Sequence, residues 1–156
     1  MSGISRRDFG RVATVGVVGS AAAGCTPRKA IASVAELAVG VSKGFEYPVG
    51  HPAIVVRLDG PAELGAGAGA ALVAFHTACP HMGCPLTTAT AAEMGAGRLG
   101  PCACHQSLFD IRFSGRQIYG RASQNLVRVQ LEVEGDQVFA VGIVGTPFGE
   151  PPEMSG

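Results

Sequence analysis

The 156-residue chain lacks a hydrophobic run long enough to cross a membrane. Its apolar stretch from Val12 to Gly24 covers thirteen residues of mostly Ala, Gly and Val, where a spanning helix needs about 20. It also lacks a basic stripe: 12 Lys and Arg balance 12 Asp and Glu. That excludes nucleic acid as the expected partner. No pairing of carboxylates, histidine and nucleophile forms an acid–base constellation, so substrate chemistry is not expected on this chain. The charge balance is uneven along the sequence. Five of the twelve bases (Arg6, Arg7, Arg11, Arg28 and Lys29) but one acid, Asp8, fall in residues 1–29. The remainder holds seven bases and eleven acids, a net of −4. A mildly acidic domain of this kind would be steered toward a basic docking face.

What the chain does contain is concentrated in two short boxes, Cys79-Pro80-His81-Met82-Gly83-Cys84 and Cys102-Ala103-Cys104-His105-Gln106-Ser107. Each offers thiolate and imidazole at close spacing and carries a second cysteine. Pro80 stiffens the first turn. Two Cys with two His is a tetrahedral zinc set, and it is also the ligand set of a binuclear iron–sulfur centre in which histidines replace the cysteines on one iron. Zinc sites usually pair C-x₂₋₄-C with H-x₃₋₅-H. The C-x-H pair and the extra cysteine in each box therefore favour iron and sulfide over a structural zinc module.

Both boxes resemble those of the Rieske [2Fe–2S] family, over a segment from about Ala53 to Gly145. The resemblance implies one [2Fe–2S] cluster per chain, with Cys79 and Cys102 on the inner iron and His81 and His105 on the outer one. It also implies a Cys84–Cys104 disulfide pinning the loops together, with Met82, Gly83 and Pro85 as a low-polarity cover. Disulfide-bearing members include the quinol-oxidising cytochrome bc subunits and the arsenite oxidase small subunit. The run Ser107-Leu108-Phe109-Asp110, with Phe where bc subunits usually carry tyrosine, and the run Gly120 to Leu126 are more similar to the arsenite oxidase type; Val127 departs from the proline frequent there. That likeness implies a one-electron carrier beside a large molybdopterin-containing subunit, with a c-type cytochrome or cupredoxin as electron acceptor. A bc-type quinol-oxidising subunit is the alternative. Ser107 resembles the family serine whose hydroxyl meets a bridging sulfide, or else is a turn-capping hydroxyl. Phe109 removes a second donor, so the expected potential lies below that of quinol-oxidising members but within roughly −150 to +300 mV. The ligand imidazoles would couple electrons to protons through their second ring nitrogen. His51 and His76 lack ligand spacing and are read as bystanders.

Ser5-Arg6-Arg7-Asp8-Phe9-Gly10-Arg11 and the apolar run behind it read as a twin-arginine export signal over residues 1–29. The expected location is periplasmic, an oxidising space in which a disulfide persists. Cys25 follows Ala22-Ala23-Gly24, a weak lipoprotein-like site with Ala at the third position before it. It is read as a residue lost with the signal, with a lipid anchor as the alternative.

Residues 30–146 then form one domain and 147–156 an irregular tail. The pattern is all-β, an antiparallel sandwich or barrel with a small cluster-binding subdomain built from two loops. Expected strands are Ala53–Leu58, Ala71–His76, Leu108–Phe113, Arg116–Tyr119, Leu126–Val133 and Gln137–Val144, with Ser114-Gly115 as a two-residue hairpin turn. In Leu126–Val133 the residues Leu126, Arg128, Gln130 and Glu132 would face one way and the valines and Leu131 the other. Pro61–Ala70 reads as a Gly/Ala-rich loop. Thr87–Gly97 reads as an insertion with a helical turn at Ala91, Ala92 and Met94, ended by Gly95 and Gly97.

Overall fold

A computed structural model describes residues 27–86 and 89–149. Residues 1–26 of the expected export signal, Cys25 among them, and the tail beyond 149 lie outside the described residues. None of the described helices is long and apolar enough to cross a membrane.

Among the described residues, nine strands form two antiparallel sheets. The larger sheet uses β1 (Lys29–Ser33), β2 (Lys43–Glu46), β3 (Pro52–Arg57), β4 (Leu72–His76), β8 (Arg128–Glu134) and β9 (Gln137–Val144), in the order β1-β9-β8-β4-β3-β2. Lys29 Nζ on one edge strand donates to the Glu46 carbonyl on the other at 2.8 Å, so the sheet curls nearly closed. Arg28 pairs with Glu132 and Glu134 and stacks over Phe139 at 3.4 Å. Arg28 and Lys29, at the end of the expected export signal, are therefore built into the edge of the sheet. The smaller sheet is β5 (Arg98–Leu99), β6 (Leu108–Asp110) and β7 (Arg116–Tyr119).

The middle of the large sheet sets the architecture. All five residues of β4 are buried, the signature of a strand covered on both faces. Alternation along β3 and β4 then sends Val56, Val73 and Phe75 into one core and Val55, Leu72 and Ala74 into another. The second core holds Val129, Val138 and Ala140 of the curled sheet. The first core is shared with the small sheet through Leu99 and Phe109, takes in Ile111 just beyond β6, and includes Cys79 and Cys102. Each such fully buried side chain contributes on the order of 1.5–3 kcal/mol. The cysteines are thus anchored in hydrophobic packing, and β4 runs directly into the loop that carries Cys79.

Sequence and structure differ at two strand ends. Leu108–Phe113 stops at Asp110, because Asp110 Oδ1 accepts the amides of Arg112 (3.0 Å) and Phe113 (3.2 Å) and turns the chain. The connection to β7 spans residues 111–115, with Ser114 and Gly115 both at positive φ. Leu126, placed by alternation on the polar face, is buried with Phe75 in the first core. It precedes β8 and donates its amide to Gly115 O at 2.9 Å, so strand periodicity does not reach it. The insertion does form a helix, α1 (Ala91–Gly95), with a capping box in which Thr90 and Glu93 exchange hydrogen bonds. Asp59 N–H donates to Gly95 O at 3.0 Å and Ile111 N–H to Gly97 O at 2.7 Å, docking the insertion onto both sheets.

Candidate metal centre

The two loops close on the same pair of hydrogen bonds. In the first, Cys79 N–H donates to Cys84 O (2.9 Å) and Gly83 N–H returns to Cys79 O (2.7 Å). In the second, Cys102 N–H donates to Ser107 O (2.8 Å) and Gln106 N–H returns to Cys102 O (2.8 Å). Each cysteine therefore opens a loop whose fifth residue on closes it, and the residue before closure has positive φ: +73° at Gly83, +59° at Gln106. An Ala78–Pro85 bridge and the Leu86 N–H to Thr77 O bond (2.8 Å) tie the first loop to the end of β4.

This frame turns Cys79 and Cys102 inward, each 1% exposed and neither disulfide-bonded. It leaves His81 and His105 half-buried, their rings 4.5 Å apart and nearly perpendicular. The two Nδ1 atoms face each other at 3.2 Å. Two nitrogens bound tetrahedrally to one metal at 2.0–2.1 Å lie about 3.3–3.4 Å apart, so this spacing suits a pair of ligands to one metal. Two buried sulfurs and two convergent imidazole nitrogens are the donor set of a histidine-ligated binuclear iron centre. The residues fit that group.

Cys84 and Cys104 form a disulfide between the loops, with Cα atoms 6.5 Å apart. Cys102 Sγ lies within 4.8 Å of both bridge sulfurs. Since those two are bonded to each other, this closeness places the bridge against the inner thiol and does not make a three-thiolate site.

Ser107 is fully buried. Its Oγ accepts the backbone N–H groups of Arg121 (3.2 Å) and Ala122 (3.0 Å), which leaves its own proton for the Cys79 sulfur. The capping role weighed from the sequence is therefore the one these two bonds display. Burial pushes the Cys79 thiol above its ordinary range, and Cys102 beside it adds to the rise; the His81 amide and the Ser107 hydroxyl act the other way. Gly120, at φ +95°, makes the arrangement possible, because a Cβ there would overlap the Ser107 backbone. Phe109 is fully buried in the core shared with both cysteines and offers no hydroxyl.

His76 and His51 stand apart from this group. His76 Nε2–H donates to Tyr47 O at 2.8 Å, and its ring stacks on His51 at 5.5 Å. Met82 is 60% exposed and Pro85 is exposed. Phe148, in the segment read as irregular tail, seats its ring on Gly83. Nothing in the local pattern announces that contact. The roles of Gly120 and Gln106 were equally hidden, although a glycine thirteen residues after Ser107 is the one visible hint of a close backbone approach.

The family model for the Rieske [2Fe–2S] domain matches residues 28–139. The chain belongs to the Rieske [2Fe–2S] family. Like other Rieske domains it binds one [2Fe–2S] cluster and serves as a one-electron carrier. It is 37% identical over 123 residues to an iodate reductase subunit of Pseudomonas sp. (strain SCT), covering 78% of this chain and 63% of that protein. It is 37% identical over 133 residues to the corresponding subunit of Denitromonas iodatirespirans, covering 83% and 70%. The Rieske subunit of the Streptomyces lividans cytochrome bc1 complex matches at 32% over 79 residues, half of this chain and 44% of that one. Among solved structures, Rieske protein II of Sulfolobus acidocaldarius superimposes with a TM-score of 0.68 at 21% identity, covering 80% of this chain and 81% of that one. The Synechocystis plasma membrane Rieske protein gives 0.55 at 21%, covering 72% and 97%. At such identities these two structures speak for the fold.

Proposed function

We propose that Cys79 and Cys102 hold one iron of the cluster and His81 and His105 the other. We propose further that the chain is the one-electron relay subunit of a periplasmic molybdenum oxidoreductase of the arsenite oxidase type. In this reading it is exported by the twin-arginine route and passes electrons between a large catalytic subunit and a c-type cytochrome or cupredoxin. The observation that carries the site is the convergence of two buried free thiols with the Nδ1 pair at 3.2 Å. The assembly is supported by the iodate reductase subunits, which match most of the chain, whereas the bc1 subunit matches half of it. The partner's substrate is then an oxyanion, with iodate the first to assay and arsenite the second. The disulfide supports an oxidising compartment.

When bound, the cluster supplies a reversible one-electron couple whose potential follows hydrogen bonding and burial. The chain's own residues set both. Ser107 gives one hydroxyl hydrogen bond to Cys79, and Phe109 gives none. The Leu99, Phe109 and Ile111 core keeps water from the thiol side. The imidazoles, half-buried and joined through Nδ1, leave Nε2 as the ring nitrogen available to a docked partner or to a proton.

Purification of the native exported protein from its own cells, followed by metal analysis and EPR, tests the proposal. Molybdenum with a large co-purifying subunit, an iron–sulfur EPR signal on reduction and turnover of iodate or arsenite are expected. The same iron signal without molybdenum overturns the assembly and leaves a carrier for a quinol-oxidising chain. Zinc without a signal overturns the ligand assignment.

A further inference from the structure

Charge is divided within the described residues. Between Thr77 and Asn125, which carry both loops and the small sheet, Arg98, Arg112, Arg116 and Arg121 stand against Glu93 and Asp110, a net of +2. The remaining described residues hold five bases and seven acids, a net of −2. The chain is therefore polarised, and its cluster end is the positive one. Two of those four positive groups are already engaged: Arg112 is tied to Asp59 and to Pro61 O, and Arg116 lies over the Phe113 ring at 5.4 Å. Arg121 is exposed and has no ion-pair partner among the described residues.

Arg121 also stands in a particular place. A groove of about 480 Å³ is lined by Cys104, His105, Gln106, Tyr119, Gly120 and Arg121. Tyr119 is 67% exposed along it. One hydrogen bond fixes the backbone at Arg121, whose amide donates to Ser107 Oγ at 3.2 Å. A guanidinium fork binds carboxylate in two parallel hydrogen bonds, and Tyr and Arg are the side chains that most often anchor protein interfaces.

We propose that this groove seats a carboxylate-bearing patch on the protein that exchanges electrons with the chain, with Arg121 as the ionic anchor and His105 as the contact for transfer. The inference rests on the electron-carrier reading but not on the identity of the molybdenum partner. It reverses the expectation from net charge alone: an acidic carrier would seek a basic face, yet the end that holds the cluster selects an acidic one. Steering of this kind acts on the association rate and is lost as salt screens it.

Stopped-flow oxidation of the reduced holoprotein tests this with two oxidants of opposite charge, ferricyanide and tris(phenanthroline)cobalt(III). The ferricyanide rate should fall as salt rises from about 10 to about 200 mM. Arg121→Gln should slow ferricyanide roughly three-fold or more at low salt and speed the cationic oxidant. Arg57→Gln, the same charge change on β3, should leave both rates nearly unchanged. Poly-L-glutamate should compete with ferricyanide in the native chain and fail to do so in Arg121→Glu, while poly-L-lysine has no effect. Equal responses of the Arg121 and Arg57 variants, or inhibition by polylysine instead of polyglutamate, would overturn the proposal while the carrier reading stands. A protein with no reducible cluster would overturn both.

Discussion

The two cluster loops share one hydrogen-bond frame, yet the residue at left-handed φ is Gly83 in the first and Gln106 in the second. Gln106 is exposed, so its side chain pays only the backbone cost of that conformation, about 1–2 kcal/mol for a residue with a Cβ. Gly83 lies under the ring of Phe148, where any Cβ would overlap aromatic carbons. Backbone geometry alone therefore does not require glycine in this frame. What requires it is the aromatic side chain that closes over one loop and not the other.

The largest expected effect follows from that asymmetry. Gly83→Ala adds the left-handed cost to the displacement of Phe148, for a loss of about 2–4 kcal/mol. The opposite exchange, Gln106→Gly, should be nearly neutral, because relief of the same strain is offset by the greater chain entropy of glycine. Thermal melts of the two variants test this, and Phe148→Ala in the Gly83→Ala background should recover part of the loss. Equal destabilisation by the two loop variants would show that the frame itself, and not Phe148, selects the glycine.

Next comes the bridge that makes the loops one unit. Cys84→Ser or Cys104→Ser should cost about 2–4 kcal/mol and shorten the lifetime of the cluster while the four donors remain. Chemical denaturation and the decay of the visible spectrum read the two effects separately. Unchanged values for both would mean that the paired backbone bonds hold the loops without it.

The third contrast is between two residues at the end of the second loop, Ser107 with a hydroxyl and Phe109 without one. Phe109→Tyr should raise the reduction potential by tens of millivolts, the order expected when a hydrogen bond favours the reduced state by about 1 kcal/mol. Ser107→Ala should lower it by a similar amount, and should also destabilise the fold by about 1–3 kcal/mol by orphaning the Arg121 and Ala122 amides. Protein-film voltammetry supplies both potentials. A flat response to Phe109→Tyr would mean that the added hydroxyl does not reach the ligand sulfur.

Legibility in the sequence tracked how local each signal was. The strand at Gln137–Val144 was visible because a β-branched run follows a clear turn, and Arg116–Tyr119 because it follows Ser114-Gly115. The edge strands β1 and β2 were not: Lys29–Ser33 and Lys43–Glu46 carry few β-branched residues and are held by pairing with β9 and β3. Asp110 ended a strand early through a side-chain bond that periodicity does not register. At the site, the cysteines and histidines stood out because their chemistry is rare and their spacing short. The bridge between Cys84 and Cys104 was implied by family likeness. Gly120 under Ser107 and Phe148 over Gly83 were invisible, since each depends on a contact far along the chain.

The smallest expected effect extends the comparison to the histidines. His76 and His81 lie five residues apart, on a buried strand and a half-buried loop. Burial holds the His76 pKa below its ordinary 6.5, with the charge of nearby His51 acting in the same direction and the bond to Tyr47 O opposing them. The unfolded chain then takes up a proton near pH 6.5 that the folded chain resists. Stability is unaffected by this group above that pH and falls as pH drops below it, until the folded-state value is reached. Melting temperature should therefore decline between pH 6.5 and 5 in the native chain. His76→Gln, which retains a donor toward Tyr47 O but cannot titrate, should flatten the decline. An unaltered slope would assign the acid sensitivity to the carboxylates on the surface, such as Glu36 beside Lys43, whose pKa is lowered mainly by that side-chain hydrogen bond and whose contribution fades only at lower pH.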